Sequence, residues 1–365
     1  MNRMHPIDEL ALLLRPAGGG LYLVSTGRAE QEAAQRALYG ADNAASVNAA
    51  FRRNLERIER AQVFIAAIPS DVGAGFVRGA NLGPSAIRAE LLRDDHWTAW
   101  CDERGIVDIG DVFVVPQFLH DSMLNEAQID KARAALYPHV SIPLPVSPLS
   151  IAERAFDLVY ALNPRIKPFT IGGDHSCAWP SVSSLHKARP DFAIVQSDAH
   201  TDLLETRLGV DYCFATWSYH ANEMLGRGGK LVQLGIRATR FPKEHWEGTL
   251  GVKQFWADEC GSDPEGSIER IVAHCRSLNV NNVYFSNDID GIDARYADAT
   301  GTPEPGGLEP ALLFKLIDQL ANEVGISGGD IMEVAPLAQR TPDGGARTVE
   351  LATRYVRATL EAMTR

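Results

Sequence analysis

Acidic and imidazole side chains recur at short, regular spacings in four places along this chain. His175 follows the run FTIGG, Asp198, His200 and Asp202 follow FAIVQ, Asp288 and Asp290 follow VYFSN, and Glu333 follows DIM. Carboxylates and imidazoles are ligands for divalent metals, and an oxygen-rich set with two imidazoles suits Mn(II), Ni(II), Co(II) or Fe(II) better than a thiolate-preferring ion. In FAIVQSDAHTD the i, i+2, i+4 spacing lets an extended or gently turning backbone aim three ligands toward one side.

Each segment taken alone has a plainer explanation. Gly172 to Ser176 (GGDHS) reads equally as a tight strand-to-helix turn in which Asp174 or Ser176 caps the helix. Asp288 and Asp290 are also residue types common in solvated loops. Their joint appearance after successive strand-like runs is what points to a metal centre.

Those runs define the elements that must hold the ligands. From Val63 onward, VFIAAIP, GIVDIG, PFTIGG, FAIVQSD, KLVQLGI, NVYFSNDID and DIMEVAP alternate with helix-like stretches, among them one from Pro84 and one around Ile151 to Asn163. Alternating strands and helices imply right-handed crossovers and a parallel sheet covered on both faces, so the expected fold is a three-layer α/β/α arrangement with a mostly parallel sheet. Ligands in such sheets gather at the carboxyl ends of the strands, where the acidic residues lie. Residues 1–60 differ in character. After a break at Gly18 to Gly20 come two helical patterns, the second with Val47, Phe51, Leu55 and Ile58 on one face and Arg52, Arg53, Arg57 and Arg60 around it. The expected organisation is an N-terminal helical extension over 1–60 and a catalytic domain over 61–365.

Composition sets outer limits. The chain has 365 residues, 45% of them hydrophobic, and a net charge of -12, which excludes bulk neutralisation of phosphates and so disfavours nucleic acid or an anionic membrane as partner. A small cationic substrate is favoured instead. Five scattered cysteines form no C-x-x-C pair, and Leu10 to Leu14 is too short a run for a signal peptide or a membrane span, so a reducing cytoplasm is the expected location.

GGDHS (172–176), SDAHTD (197–202), SNDIDGID (286–293) and EVAP (333–336) together resemble the diagnostic motifs of the ureohydrolase family of arginases and agmatinases. The likeness continues upstream through Ile68-Pro69, Asp71, Gly73, Arg78-Gly79, Gly83-Pro84 and Ile87-Arg88, and it covers roughly Val63 to the C-terminus. It implies an arginase-like fold and two divalent metal ions, Mn2+ or Ni2+. One ion would take His175, Asp198, Asp202 and Asp288, and the other Asp198, His200, Asp288 and Asp290, with Asp198 and Asp288 as bridges. It further implies a hydroxide held between the metals that attacks a guanidinium carbon, with Asp202 carrying a proton to the leaving nitrogen and Glu333 binding the guanidinium. The products would be urea or a urea derivative plus an amine or ammonia. The resemblance implies a homo-oligomer, a trimer or hexamer, with a hetero-oligomer as the alternative.

Two departures from the family pattern bear on substrate. Leu204 stands where arginases carry an asparagine that holds the amino-acid end of arginine, so arginine is not the expected substrate. Phe214, in Cys213-Phe214-Ala215-Thr216-Trp217, occupies the place of a loop histidine that assists proton traffic; His220 lies six residues on and is not counted as catalytic. Phe214 and Trp217 could line an apolar, cation-attracting pocket. That would point away from long substrates ending in a carboxylate and toward small or alkyl-substituted guanidines or biguanides; the expected substrate is a guanidino compound of one of these types or of the agmatine or guanidinobutyrate type. Two other readings remain open at this stage. A mononuclear zinc deacetylase would need one Asp-His-Asp set, and His175 and Asp290 are surplus to it. A non-catalytic subunit would explain Phe214, yet would have no need of so many clustered carboxylates.

Overall fold

A computed structural model describes residues 4–21, 23, 25–75 and 77–365. Among the described residues nine strands form one sheet: β1 (Leu14–Arg15), β2 (Val63–Ile68), β3 (Ile106–Val112), β4 (Lys167–Gly172), β5 (Phe192–Ser197), β6 (Leu231–Ile236), β7 (Lys253–Trp256), β8 (Asn282–Asn287) and β9 (Ile326–Ile331). Their spatial order is β1-β3-β2-β4-β9-β8-β5-β6-β7, and every pairing is parallel except β1 with β3.

The seven apolar runs expected as strands are present, with differences that have physical causes. β9 begins four residues earlier than DIMEVAP, at the glycine-bearing ISGGDI. Glycine disfavours strands in general, but a Cβ on Gly328 would lie 2.8 Å from Tyr284 and 2.9 Å from Pro168, so close packing requires the bare backbone there. β1, with two residues, and β7, with four, are too short to show a period in sequence.

Alternation along the strands divides the core into two. Phe64, Ala66 and Ile68 of β2 join Ile194, Leu231 and Tyr284 on one face, whereas Val63, Ile65 and Ala67 join Phe169, Val195, Val232 and Phe285 on the other. Successive side chains of a strand point to opposite faces, and helices cover both. The N-terminal helices Pro6–Leu13 and Ala44–Arg57 belong to the first cluster: Ile7, Leu10, Leu13, Val47, Phe51, Leu55 and Ile58 are buried beside Val107 and Ile109 of β3.

A buried ion cluster ties this flank together. Arg88, in the helix Gly83–Leu91, donates from Nε to Asp108 at 2.8 Å, pairs with Asp111, and donates to the Gly110 carbonyl at 3.1 Å. The second oxygen of Asp111 accepts the N–H of Gly20 at 3.1 Å, so the chain before residue 21 is pinned to β3 through the same carboxylate. Removing one partner of such a cluster leaves uncompensated charge in the interior. Arg88→Ala is therefore expected to lower the unfolding free energy by about 3–5 kcal/mol in urea titration; a loss below about 1 kcal/mol would show that Asp108 and Asp111 find other partners.

Candidate metal centre

The four strands that end in candidate ligands, β4, β9, β8 and β5, are neighbours in the centre of the sheet. Their carboxyl ends are laced together: Glu333 N–H donates to the Gly173 carbonyl at 2.8 Å, and Asp288 pairs with Met332 as a continuation of the β8–β9 ladder. Gly173 allows the approach of β4's end to the loop after β2, because a Cβ there would fall 1.8 Å from the Ser70 carbonyl oxygen.

One local device recurs at three of these ends. Asp174 accepts the N–H of Ser176 at 3.0 Å, Asp198 that of His200 at 2.6 Å, and Asp288 that of Asp290 at 2.9 Å. An aspartate that accepts the amide two residues on folds the backbone into an Asx turn. The i, i+2 spacing thus arises from a turn and not from extended alternation, and one carboxylate oxygen of Asp198 and of Asp288 remains for other work. Asp174 caps its turn as the plainer reading of GGDHS expected, while His175 points into the site; the two readings are compatible.

Two groups of ligand atoms, each mutually within 4.8 Å, result: His175, Asp198 and Asp202, and Asp198, His200 and Asp290. Asp198 belongs to both. His175 Nδ1 lies 3.2 Å from Asp198, 3.5 Å from Asp202 and 3.0 Å from Asp288, and His200 Nδ1 lies 3.5 Å from Asp198 and 3.1 Å from Asp290. Asp288 stands beside the first group through its contact with His175, and its other oxygen is engaged by the Asp290 amide. All six expected ligands therefore meet in one place, with Asp288 turned to the His175 side.

The donor set suits divalent cations. Burial, followed by the charges of Asp290 and Asp198, pushes the Asp288 carboxyl well above the usual range, and burial with the charge of Asp198 does the same to Asp202. Burial also opposes charge on Asp198, but His175 and His200 hold that carboxyl below its ordinary value. A carboxylate group that cannot fully ionise by itself, next to two imidazoles, is what bound cations would relieve.

Outer partners orient the ligands. His175 Nε2 lies 3.0 Å from Ser286 Oγ, and that hydroxyl lies 3.0 Å from Asp330, which also accepts from Tyr284 and from the Asn287 amide. Burial pushes the Asp330 carboxyl up to about 6. Asp290 accepts from Thr302 Oγ1 at 3.0 Å and from the Ala199 amide at 3.1 Å. Behind it, Arg237 donates to the carbonyls of Asp290, Gly291 and Glu304.

Asp202 and Glu333 are the two site residues with left-handed backbone, at φ 51° and 62°. Non-glycine residues rarely adopt that region, and where they do, surrounding contacts must hold them. Glu333 accepts the His175 amide on Oε1 at 2.9 Å and is pushed well above the usual carboxyl range by burial and by Asp174. Its Oε2 lies 3.7 Å from where a Cβ on Gly301 would sit, so the small residue keeps space open beside it.

Trp217, expected to offer an aromatic face to a substrate, is wholly buried. Its indole N–H donates to Asp202 at 3.1 Å and its ring stacks on His175 at 4.5 Å, so it supports two candidate ligands from behind. Phe214 does reach a cavity, one of about 560 Å³ with His200 and Asp202 at its edge and Leu204, Arg207, Arg240 and Phe241 around it. His220 lies away from the ligands, its Nε2 2.8 Å from the Asp211 carbonyl oxygen and its ring 5.0 Å from Tyr212. Sequence reasoning missed Ser286, Asp330, Thr302 and Arg237, which carry no spacing signal because their partners lie on other strands and loops.

Mn2+ added to metal-stripped protein is expected to raise the melting temperature, with about 2.7 kcal/mol gained at a hundredfold excess over Kd. Asp198→Asn, which alters the shared ligand, should lose most of that gain. An unchanged melting curve for the wild-type chain would count against metal binding here.

Comparison with known proteins places this geometry. The Arginase family profile matches residues 61–361. Guanidinobutyrase of Pseudomonas aeruginosa is 29% identical over 278 residues, covering 74% of this chain and 77% of that protein. Mitochondrial agmatinase of Gallus gallus is 30% identical over 281 residues, covering 74% and 73%. The solved structure of proclavaminate amidino hydrolase from Streptomyces clavuligerus superposes with a TM-score of 0.64 at 27% identity, over 83% of this chain and 91% of that one. With the profile matching residues 61–361 and the solved relative sharing the fold, this chain belongs to the Arginase family.

Proposed function

We propose that the chain hydrolyses a C–N bond of a guanidino compound at a two-metal site formed by His175, Asp198, His200, Asp202, Asp288 and Asp290. The observation that carries this is the pair of ligand groups sharing Asp198, set beside Glu333 with one carboxylate oxygen left open. A mononuclear deacetylase would have no use for the second group.

Glu333 binds the substrate. Its open oxygen accepts hydrogen bonds from the planar guanidinium, neutralises that cation and orients its central carbon toward the shared ligand. When bound, two divalent ions would supply the Lewis acidity that makes water a nucleophile near neutral pH. Asp202, held by Trp217 through one oxygen, takes the proton released from the water on its other oxygen and delivers it to the departing nitrogen. Its strained backbone and the indole behind it fix the carboxylate for that transfer.

The cavity beyond Asp202 supports a longer substrate than the sequence suggested, one with an anionic end. Arg207 and Arg240 line it, and Arg207 lies 5.1 Å from the Phe214 ring. Two guanidinium groups there would attract a carboxylate and repel the second cation of agmatine. A guanidino acid, the class named in guanidinobutyrase, fits this rim.

With the Mn2+-loaded chain, 4-guanidinobutyrate is expected to release urea, and both Asp202→Asn and Glu333→Gln to cut kcat/KM by at least about a hundredfold. Urea release undiminished in both variants would sink the assigned roles. Arg240→Glu and Arg207→Glu should each raise KM for 4-guanidinobutyrate about tenfold, or ~1.4 kcal/mol, while sparing agmatine. Equal effects on the two substrates would refute the anionic-end reading.

A further inference from the structure

Beneath the site a row of side-chain amides crosses three strands. Gln196 lies in β5, Gln233 in β6 and Gln254 in β7, and the parallel registers set Gln196 opposite Gln233 and Gln233 opposite Gln254. All three are fully buried. Their hydrogen bonds run head to tail. Trp256 Nε1 donates to Gln254 Oε1 at 3.0 Å, Gln254 Nε2 to Gln233 Oε1 at 2.8 Å, Gln233 Nε2 to Gln196 Oε1 at 2.9 Å, and Gln196 Nε2 to Asp198 Oδ2 at 2.7 Å. Gln233 Nε2 also donates to the Thr201 carbonyl at 2.6 Å, and Ser218 Oγ donates to Gln196 Oε1 at 2.8 Å.

The direction of this row is fixed at both ends. An indole N–H can only donate, and an ionised carboxylate can only accept. A single amide that flipped would set donor against donor on one side and acceptor against acceptor on the other. The Thr201 carbonyl, acceptor only, holds the middle amide the same way. Aligned amide dipoles in a low-dielectric interior strengthen one another, and a partly satisfied row would be costly.

Holding strands together does not require such a row, because the backbone ladders already do so and apolar side chains would fill the space without desolvating amides. What distinguishes it is where it ends: on the carboxylate shared by both ligand groups, and on the carbonyl next to Asp202. We propose that Gln196, Gln233 and Gln254 are positioning residues, an amide ladder that fixes the Asp198 carboxylate and the backbone leading to Asp202 for metal binding. The inference rests on the reading of Asp198 as a metal ligand.

The test uses the full-length chain, stripped of metal, as wild type, Gln233→Met and Gln254→Met; methionine keeps the length and removes the amide. Mn2+ affinity is measured by competition with a fluorescent chelator, and folding of each metal-free variant by circular dichroism and thermal melting. Gln233→Met, which severs both the Gln196 and Thr201 contacts, is expected to weaken Mn2+ binding by roughly tenfold or more, in the range seen when outer partners of metal ligands are lost. Gln254→Met, one step further out, should weaken it by a smaller factor, and it decides the matter alone if Gln233→Met does not fold. Wild-type Mn2+ affinity in the folded variants, with a lowered melting temperature as the single change, would overturn the ladder's role and leave the two-metal reading standing. A wild-type chain that binds no Mn2+ would instead overturn that reading, and the ladder's role with it.

Discussion

Five carboxylates, from Asp198, Asp202, Asp288, Asp290 and Glu333, are buried at the ends of three adjacent strands, and like charges so close cannot all ionise unless opposite charge stands near them. Much of what surrounds them answers that repulsion. His175 and His200 face them with imidazoles, Arg237 gathers the carbonyls behind Asp290, and backbone amides of Ala199, His200, Asp290 and His175 donate inward. These donors reduce the repulsion without removing it, which leaves a site disposed toward divalent cations.

Rigidity is the second requirement, because a metal centre assembled from flexible carboxylates would lose its geometry as charge moved during reaction. The structure meets it by spending few free torsions near the ligands. Asx turns lock Asp198 and Asp288 by one oxygen each, strand pairing continues through Asp288 and Met332 past the sheet's end, and Trp217 clamps Asp202 while stacking on His175. Left-handed backbone at Asp202 and Glu333 is the residual strain of aiming two acidic side chains into one space. The wall beyond them is built from loop residues such as Leu204, Arg207 and Phe241.

Most of the scaffold and all six candidate ligands could be read from the chain because their signals are local. An apolar run of five or six residues marks a parallel strand, and aspartates two apart at its end mark a turn that presents ligands. Glu333 was legible for the same reason, through EVAP. β1 and β7 were not, since two to four residues carry no period, and the start of β9 was hidden by glycines whose value lies in packing against Tyr284 and Pro168.

The sequence by itself determined the strand-helix alternation and the order of the candidate ligand residues at the strand ends, because each depends on residues near one another in the chain. Tertiary structure alone decided what those residues meet. Trp217 reads as a pocket aromatic until the fold buries it behind Asp202, and Phe214 keeps its place at the cavity edge. Gln196, Gln233 and Gln254 are single polar residues in three apolar strands, and parallel register, which no local pattern encodes, turns them into one directed row. Arg207 and Arg240, 33 positions apart, become one cationic rim only when two loops close on the same cavity. Local spacing fixes which groups a turn presents, whereas contacts between distant segments exist only after the sheet has brought their strands side by side.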